Sequence, residues 1–188
     1  MQLVHPAVEH LASYRAALER GWSPNTMNPT AGQAEAKRID TDPAGFLAAQ
    51  DDPEGRGEPI TLPDGSVARR LPGYRRWIWD GEFAGVIGLR WQPGTADLPP
   101  HVLGHIGYAV VPWKRRRGYA TAALRLLLPE ARALSLPYVE LMTTDPNNTA
   151  SQKVITTNGG VLVERLERPA AYGSASAAFR WRIRLDNP

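Results

Sequence analysis

The stretch YRRWIWDGEFAGVIGLRW, residues 74–91, leaves a chain like this little freedom. Two runs rich in aromatic and β-branched residues flank Asp80-Gly81. That dipeptide accepts the left-handed backbone of a tight turn, so the block reads as a β-hairpin. GHIGYAVVP (104–112) follows as another strand, ended by Pro112, whose ring cannot donate to a ladder.

Beyond Pro112 the period changes. GYATAALRLLLPEARAL (118–134) spaces Ala122, Leu124, Leu127 and Leu128 as a helix does, and Pro129 is expected to kink or shorten it. YVELMTT (138–144) is a short strand. NNTASQKVITTNGG (147–160) reads as a helix with an Asn cap and a Gly stop. GVLVERLE (160–167) is a strand. In AFRWRIRL (178–185), Phe179, Trp181, Ile183 and Leu185 alternate with Arg180, Arg182 and Arg184, giving one buried and one cationic face.

The first third is less patterned. Residues 7–20, AVEHLASYRAALER, form a helix stopped by Gly21. Residues 22–72 are rich in Pro, Gly, Asp and Thr. Within them 42–50 reads as a short helix with Asp42 as cap and Pro43 in its first turn, and 53–66 as an exposed loop. Trp77, Trp79 and Trp91 read as core or hairpin residues. The order of elements implies an α/β (α+β) class with a mixed sheet, and 188 residues suit one domain.

The chain has no cysteine, which excludes disulfides and thiolate metal sites and points to a reducing cytoplasm. The start MQLVHPAVEH lacks the features of a signal peptide, and no apolar run could span a bilayer. The net charge of +3 is a weak general field, so a nucleic-acid partner would need a local patch. WKRRRGYAT, Trp113 to Thr121, supplies one candidate. No aromatic residues interleave its KRRR run, and no nucleic-acid-binding motif accompanies it.

Its place between a strand and a helix suggests another use. A helix start leaves backbone N–H groups unpaired at the positive end of the dipole, where phosphate is favoured. Gly118 and Ala120 keep side chains clear, Thr121 adds a hydroxyl, and Arg115, Arg116 and Arg117 add charge. The spacing is neither that of a Walker loop nor that of a dinucleotide fold.

Arg115-x-x-Gly118-x-Ala120 between strand and helix resembles the acyl-CoA signature of the GNAT N-acetyltransferase superfamily. VELMTTDPNNTASQKVITTNGG continues the likeness, with Asn148, Ser151 and Gly159 in register with the family's Asn-x-x-Ser helix and its glycine. The specific resemblance covers 104–160, the looser one 73–188, and the combined block looks like a bacterial subgroup of predicted acetyltransferases. It implies a mostly antiparallel sheet flanked by helices, with two central strands splayed apart. Acetyl-CoA is the implied co-substrate, with no metal. The implied cofactor contacts are the backbone of Ala109, Val110 and Val111, the N–H groups of Arg116 to Thr121 including Tyr119, and Asn148 and Ser151. A backbone N–H near Val110 would polarise the thioester carbonyl.

An attacking amine must be neutral, which calls for a base. Family members often carry a Glu near the position of His105, so His105 is the first candidate and Glu140 on the next strand the second. The tyrosine that many members use as general acid is replaced by Ile155, leaving Ser151, Tyr172 or water. His101 follows two prolines in a loop that could line the acceptor side. The Arg180, Arg182 and Arg184 row reads as a solvated face that could also attract an acidic substrate or a second subunit.

These readings imply an N-acetyltransferase acting on a small-molecule or peptide amine, with 22–72 shaping the acceptor side of a single domain spanning 1–188. A homodimer is compatible with them, and a membrane partner is not. A non-catalytic acyl-CoA sensor on the same fold and a basic nucleic-acid-binding protein are the alternatives, the second the weaker.

Overall fold

In a computed structural model that describes residues 1–26, 28–62, 64–167 and 177–185, the hairpin is the middle of the larger of two main sheets. The elements run β1 (Gln2–Val4), α1 (Val8–Glu19), α2 (Ala31–Thr41), α3 (Pro43–Ala48), β2 (Asp51–Asp52), β3 (Ile60–Thr61), β4 (Val67–Ala68), β5 (Gly73–Trp79) and β6 (Phe83–Arg90). Then come β7 (Ile106–Val110), a 3-10 turn (Pro112–Lys114), α4 (Tyr119–Ala133), β8 (Tyr138–Thr143), α5 (Thr149–Thr157), β9 (Val161–Glu167) and β10 (Ala177–Arg184). Strands β1-β5-β6-β7 lie side by side, with β2 also on β5, while β8-β10-β9 form a second sheet and β3-β4 a small third. Every ladder is antiparallel.

The hairpin turns at Asp80-Gly81, with Gly81 at φ 105 and the Asp80 N–H donating to the Glu82 carbonyl at 3.1 Å. Alternation along β5 then sends side chains to two cores. Ile78 joins Ala84, Ile87, Leu89 and Ile106 against Leu124, Leu127 and Leu128 of α4. Trp77 goes to the other face, where it stacks on Tyr14 of α1 at 4.5 Å between ring centroids. The two cores hold α4 and α5 on one side of the sheet and α1, α2 and α3 on the other.

Several expectations need amendment. Residues 31–41, inside the segment read as irregular, form α2, whose Ile39 is buried against Tyr14 and Phe46. The N-terminal residues form β1 on the edge of β5, a strand too short to show a period. Helix α4 runs through Pro129 without stopping. Pro129 and Arg125, the residue four back whose carbonyl loses its donor, are both exposed, so water can satisfy that carbonyl. The Asp42 cap is as expected, accepting from the Gly45 N–H at 2.8 Å.

Lys114, one of the four consecutive cations, is buried, and its ammonium donates to Asp80 Oδ1 at 2.6 Å. The Tyr119 hydroxyl donates to Asp80 Oδ2 at 2.6 Å. The hairpin turn is thus clamped to the start of α4. Burial alone would raise the Asp80 pKa, but the bonds from Lys114 and Tyr119 outweigh it and hold it at about 2.

A carboxylate whose folded pKa lies below its unfolded value, near 3.9, stabilises the fold above that value and loses the effect as pH falls. The denaturant midpoint of the wild type should therefore drop more steeply between about pH 4 and pH 2 than that of Asp80→Asn. At neutral pH, Asp80→Ala should cost about 2–3 kcal/mol, because it leaves the buried Lys114 ammonium with only the exposed Glu82 carboxylate, 3.3 Å away. Equal pH slopes for the two proteins would show that the clamp is not part of the stability.

Candidate active site

Strands β7 and β8 are neighbours, yet no ladder joins them. They touch at one end only. The His105 N–H donates to the Glu140 carbonyl at 2.8 Å, and the Glu140 N–H donates back to His105 Nδ1 at 3.0 Å. A Cβ on Gly104 would stand 2.8 Å from the same carbonyl, so a glycine is what permits this approach. Beyond the contact the two sheets separate.

The backbone of β7 explains what the opening exposes. The His105 carbonyl accepts from Arg90, and the Val111 N–H donates to Ala84 at 3.0 Å. Bonding direction alternates along a strand, so Ala109 and Val111 also face β6, while Ile106, Tyr108 and Val110 turn their N–H and C=O groups toward the opening. Of the three residues expected to meet a cofactor, Val110 alone has its backbone groups there. Ala109 and Val111 bury their side chains in the α1 core. The Val110 carbonyl accepts from Arg115 Nε at 3.2 Å, which leaves its N–H as the free group.

The strand leads into the 3-10 turn and then α4. No side chain caps this helix. Gly118 sits at φ 77, and a Cβ added there would meet nothing within 4 Å. The first intrahelical bond runs from Ala122 N–H to the Gly118 carbonyl. The N–H groups of Gly118, Tyr119, Ala120 and Thr121 consequently have no acceptor among the described residues. Arg116 also adopts a left-handed backbone, φ 63, which a side chain disfavours by roughly 1–2 kcal/mol. Arg115, Arg116 and Arg117 are exposed around this cradle. Four directed donors, an open glycine and three cations fit a diphosphate.

On the far side of the opening stands the start of α5. Asn148 caps it by accepting from the Ser151 N–H at 3.0 Å. Tyr108, reaching across from β7, places its hydroxyl 2.7 Å from Ser151 Oγ. Burial raises the Tyr108 pKa to about 12, so the phenol stays protonated at neutral pH. Ile155, at the position where a tyrosine was sought, is buried in the core between α4 and β8. Tyr108 was visible in the sequence only as an alternating strand residue, and its partnership with Ser151 spans 43 positions.

The two residues considered as bases have other partners. His105 is fully buried, with its Nδ1 lone pair engaged by the Glu140 backbone. Burial lowers its pKa, and the proximity of Glu140 and the Ala96 backbone does not offset this. A neutral ring accepting at Nδ1 carries its proton at Nε2 and has no free lone pair to receive another. The Glu140 carboxylate accepts from Arg182 at 2.7 Å and lies 3.8 Å from Arg180. Lys114 belongs to the Asp80 clamp rather than to the cradle. His101 is half-buried in the loop before β7. Tyr172 lies outside the described residues. Among the described residues no three His, Asp or Glu side chains gather as a metal site, and no helix is long and apolar enough to cross a membrane.

Residues 6–161 match the family model described as acetyltransferase (GNAT) domain. No curated protein sequence matches the chain. Among solved structures, RimL, a ribosomal α-N-protein acetyltransferase in complex with coenzyme A, superposes with a TM-score of 0.61 at 14% identity, covering 97% of this chain and 92% of its own. RimJ of Mycobacterium smegmatis, in complex with CoA-disulfide, gives 0.59 at 17% identity, with 97% and 80% covered. The microcin self-immunity acetyltransferase MccE, in complex with acetyl-CoA and AMP, gives 0.59 at 11%, with 97% and 91% covered. At these identities the likeness is one of fold.

The left-handed backbone at Arg116 has a measurable consequence. Arg116→Gly should raise stability by roughly 0.5–1 kcal/mol, a rise in Tm of about 1–4 °C, since the side chain is exposed and its backbone cost disappears. A fall in Tm would show that the arginine side chain, not the backbone, governs the turn.

Proposed function

The chain belongs to the GNAT acetyltransferase family, and on that premise we propose that it moves the acetyl group of acetyl-CoA to a primary amine by direct attack. The observation that carries this reading is the unpaired edge of β7 running straight into the free N–H groups at the start of α4. Residues 1–188 then act as one acetyltransferase domain, with 22–72 on the acceptor side.

The N–H groups of Gly118 to Thr121, flanked by Arg115, Arg116 and Arg117, hold the diphosphate. Val110 N–H polarises the thioester carbonyl, and Asn148 and Ser151 flank the pantetheine arm. Acetyl-CoA supplies an activated acyl group on a good leaving group. In the transfer a C–N bond forms, the C–S bond breaks, the amine gives up a proton, and the thiolate takes one.

Tyr108 is assigned the second of these protons. It is protonated at neutral pH, lines the opening, and is relayed to the start of α5 through Ser151. His105 and Glu140 are assigned to holding β7 and β8 together, which leaves water to take the amine proton. Such a site suits an amine that is already partly neutral. An α-amine, with a pKa near 7.7–8.0, meets this better than a lysine side chain near 10.4. The α-N-acetyltransferase description of RimL is in keeping with that preference.

Two experiments test the reading. Acetyl-CoA should raise the Tm of the wild type and of Gly118→Asn, since asparagine tolerates a left-handed backbone, but not that of Gly118→Glu, whose carboxylate would occupy the cradle. An undiminished shift in Gly118→Glu would remove the diphosphate from this turn. In an amine screen with thiol-release detection, Tyr108→Phe should lower kcat about 100-fold with little change in acetyl-CoA affinity. His105→Gln should lower Tm while leaving the shape of the pH–rate profile intact. An unchanged kcat in Tyr108→Phe would return the thiolate proton to solvent, and a lost acidic limb in His105→Gln would restore His105 as the base.

A further inference from the structure

The α1 side of the sheet carries an exposed glycine patch on β6 and β7. Gly88 of β6 and Gly107 of β7 face each other in the ladder, on the same face as Val86 and Ala109. Gly107 of β7 is exposed, so α1 and α2 do not cover this patch. Two adjacent glycines make a floor without side chains.

Arginines stand on two sides of it. Arg75, opposite Gly88 in the β5–β6 ladder, donates to Glu35 Oε1 of α2 at 3.0 Å, and the Tyr14 hydroxyl donates to the other oxygen of the same carboxylate. Glu35 is therefore fully engaged, and its charge is matched by Arg75. Arg90 is different. Its guanidinium lies over Gly107, with Nη2 3.6 Å from where a Cβ would stand. Among the described residues it has no hydrogen bond and no carboxylate partner. The Arg180 and Arg182 cations, which the sequence alone suggests for an acidic substrate, are paired with Glu164 and Glu140.

Arg90 is exposed to solvent, yet burial lowers its pKa, with the like charge of Arg75 second. Its exposure leaves the guanidinium open to a ligand, and the like charge of Arg75 nearby favours an arriving anion. No carboxylate among the described residues balances this cation, and the neutral His105 nearby adds none. An anion arriving over Gly107 would supply the missing counter-charge.

We propose that Arg90 is the anion anchor of the acceptor site, so that the amine accepted by this enzyme carries a carboxylate or phosphate group on the same molecule. The patch lies on β7, the strand where the proposed transfer takes place. A planar guanidinium over a bare glycine floor lets a carboxylate or phosphate approach in the plane of the fork and accept two N–H bonds. The proposal rests on the acetyltransferase reading above and assigns its substrate class.

The test uses the full-length protein and matched acceptors that differ only in the anion. β-Alanine is compared with β-alaninamide, phosphoethanolamine with ethanolamine, and an aspartyl peptide with its asparaginyl counterpart, each with acetyl-CoA. The expected result is a kcat/KM about 10- to 100-fold higher for the anionic member of at least one pair. The carboxylate and phosphate pairs show which group is used. Arg90→Gln should erase that preference while keeping the acetyl-CoA-induced rise in Tm, and Arg90→Lys should restore part of it. Equal turnover within every pair, or a preference that survives in Arg90→Gln, overturns the anchor and leaves the acetyltransferase reading standing. Binding of acetyl-CoA with no transfer to any member overturns both.

Discussion

The site depends on how β7 and β8 are joined. Two adjacent strands ordinarily pair along their length, and an unpaired edge is a liability because its polar groups need partners. Here the pairing is confined to one pair of residues. His105 and Glu140 exchange two bonds, one of them to a ring nitrogen in place of a carbonyl, and the strands separate afterwards. The imidazole does in part what the next residue of a ladder would have done, and it does so as a buried neutral group. A protonated ring would lose the Nδ1 acceptor, leave the Glu140 N–H unpaired, and bring a charge close to Arg90. The properties that make His105 a good joint are the same ones that make it a poor base.

A second constraint positions what lies beyond the gap. The cradle at the start of α4 would be of little use if it drifted relative to β7, and three exposed arginines on a turn with two left-handed residues have no reason to stay put. Asp80 supplies the restraint. By binding Lys114 and Tyr119 it ties the residues on either side of the Arg115–Gly118 turn to the hairpin that forms the middle of the sheet. One cation of the run is thus structural, and the other three remain at the surface. The division follows from reach, since Lys114 comes just before the chain turns outward and its stem can lie along the sheet while its charge meets Asp80.

Much of this was legible in the sequence. The hairpin at Asp80-Gly81, the strand ending at Pro112, the glycine that opens α4 and the Asn148 cap are all local signals, carried by backbone preferences within a few residues. What escaped notice is long-range or faint. Helix α2 has few apolar residues, and its Ile39 matters only because Tyr14 and Phe46 arrive from elsewhere. Tyr108 and Ser151 are 43 residues apart, and nothing local marks either as a partner of the other. The cofactor-facing backbone shows the limit most clearly. Ala109, Val110 and Val111 are equivalent as letters, and only the register with β6 shows that one of them turns toward the opening.

Charge balance on the two sheets follows the same logic. Arg180 and Arg182 look like part of a cationic surface in the sequence, but they, like Arg75, are matched by a carboxylate brought from another element, Glu164, Glu140 or Glu35. Pairing of that kind fixes side chains and cancels the field, so these residues are better understood as structure than as attraction. Arg90 stands apart because, among the described residues, it has no carboxylate partner where α1 and α2 leave the strands uncovered and the strands carry glycine. An exposed cation beside a bare floor, with no carboxylate of its own among the described residues, remains available to an incoming anion. Such an arrangement makes physical sense where a ligand completes it. The same strand edge that polarises the acyl group would then begin the surface that selects what receives it.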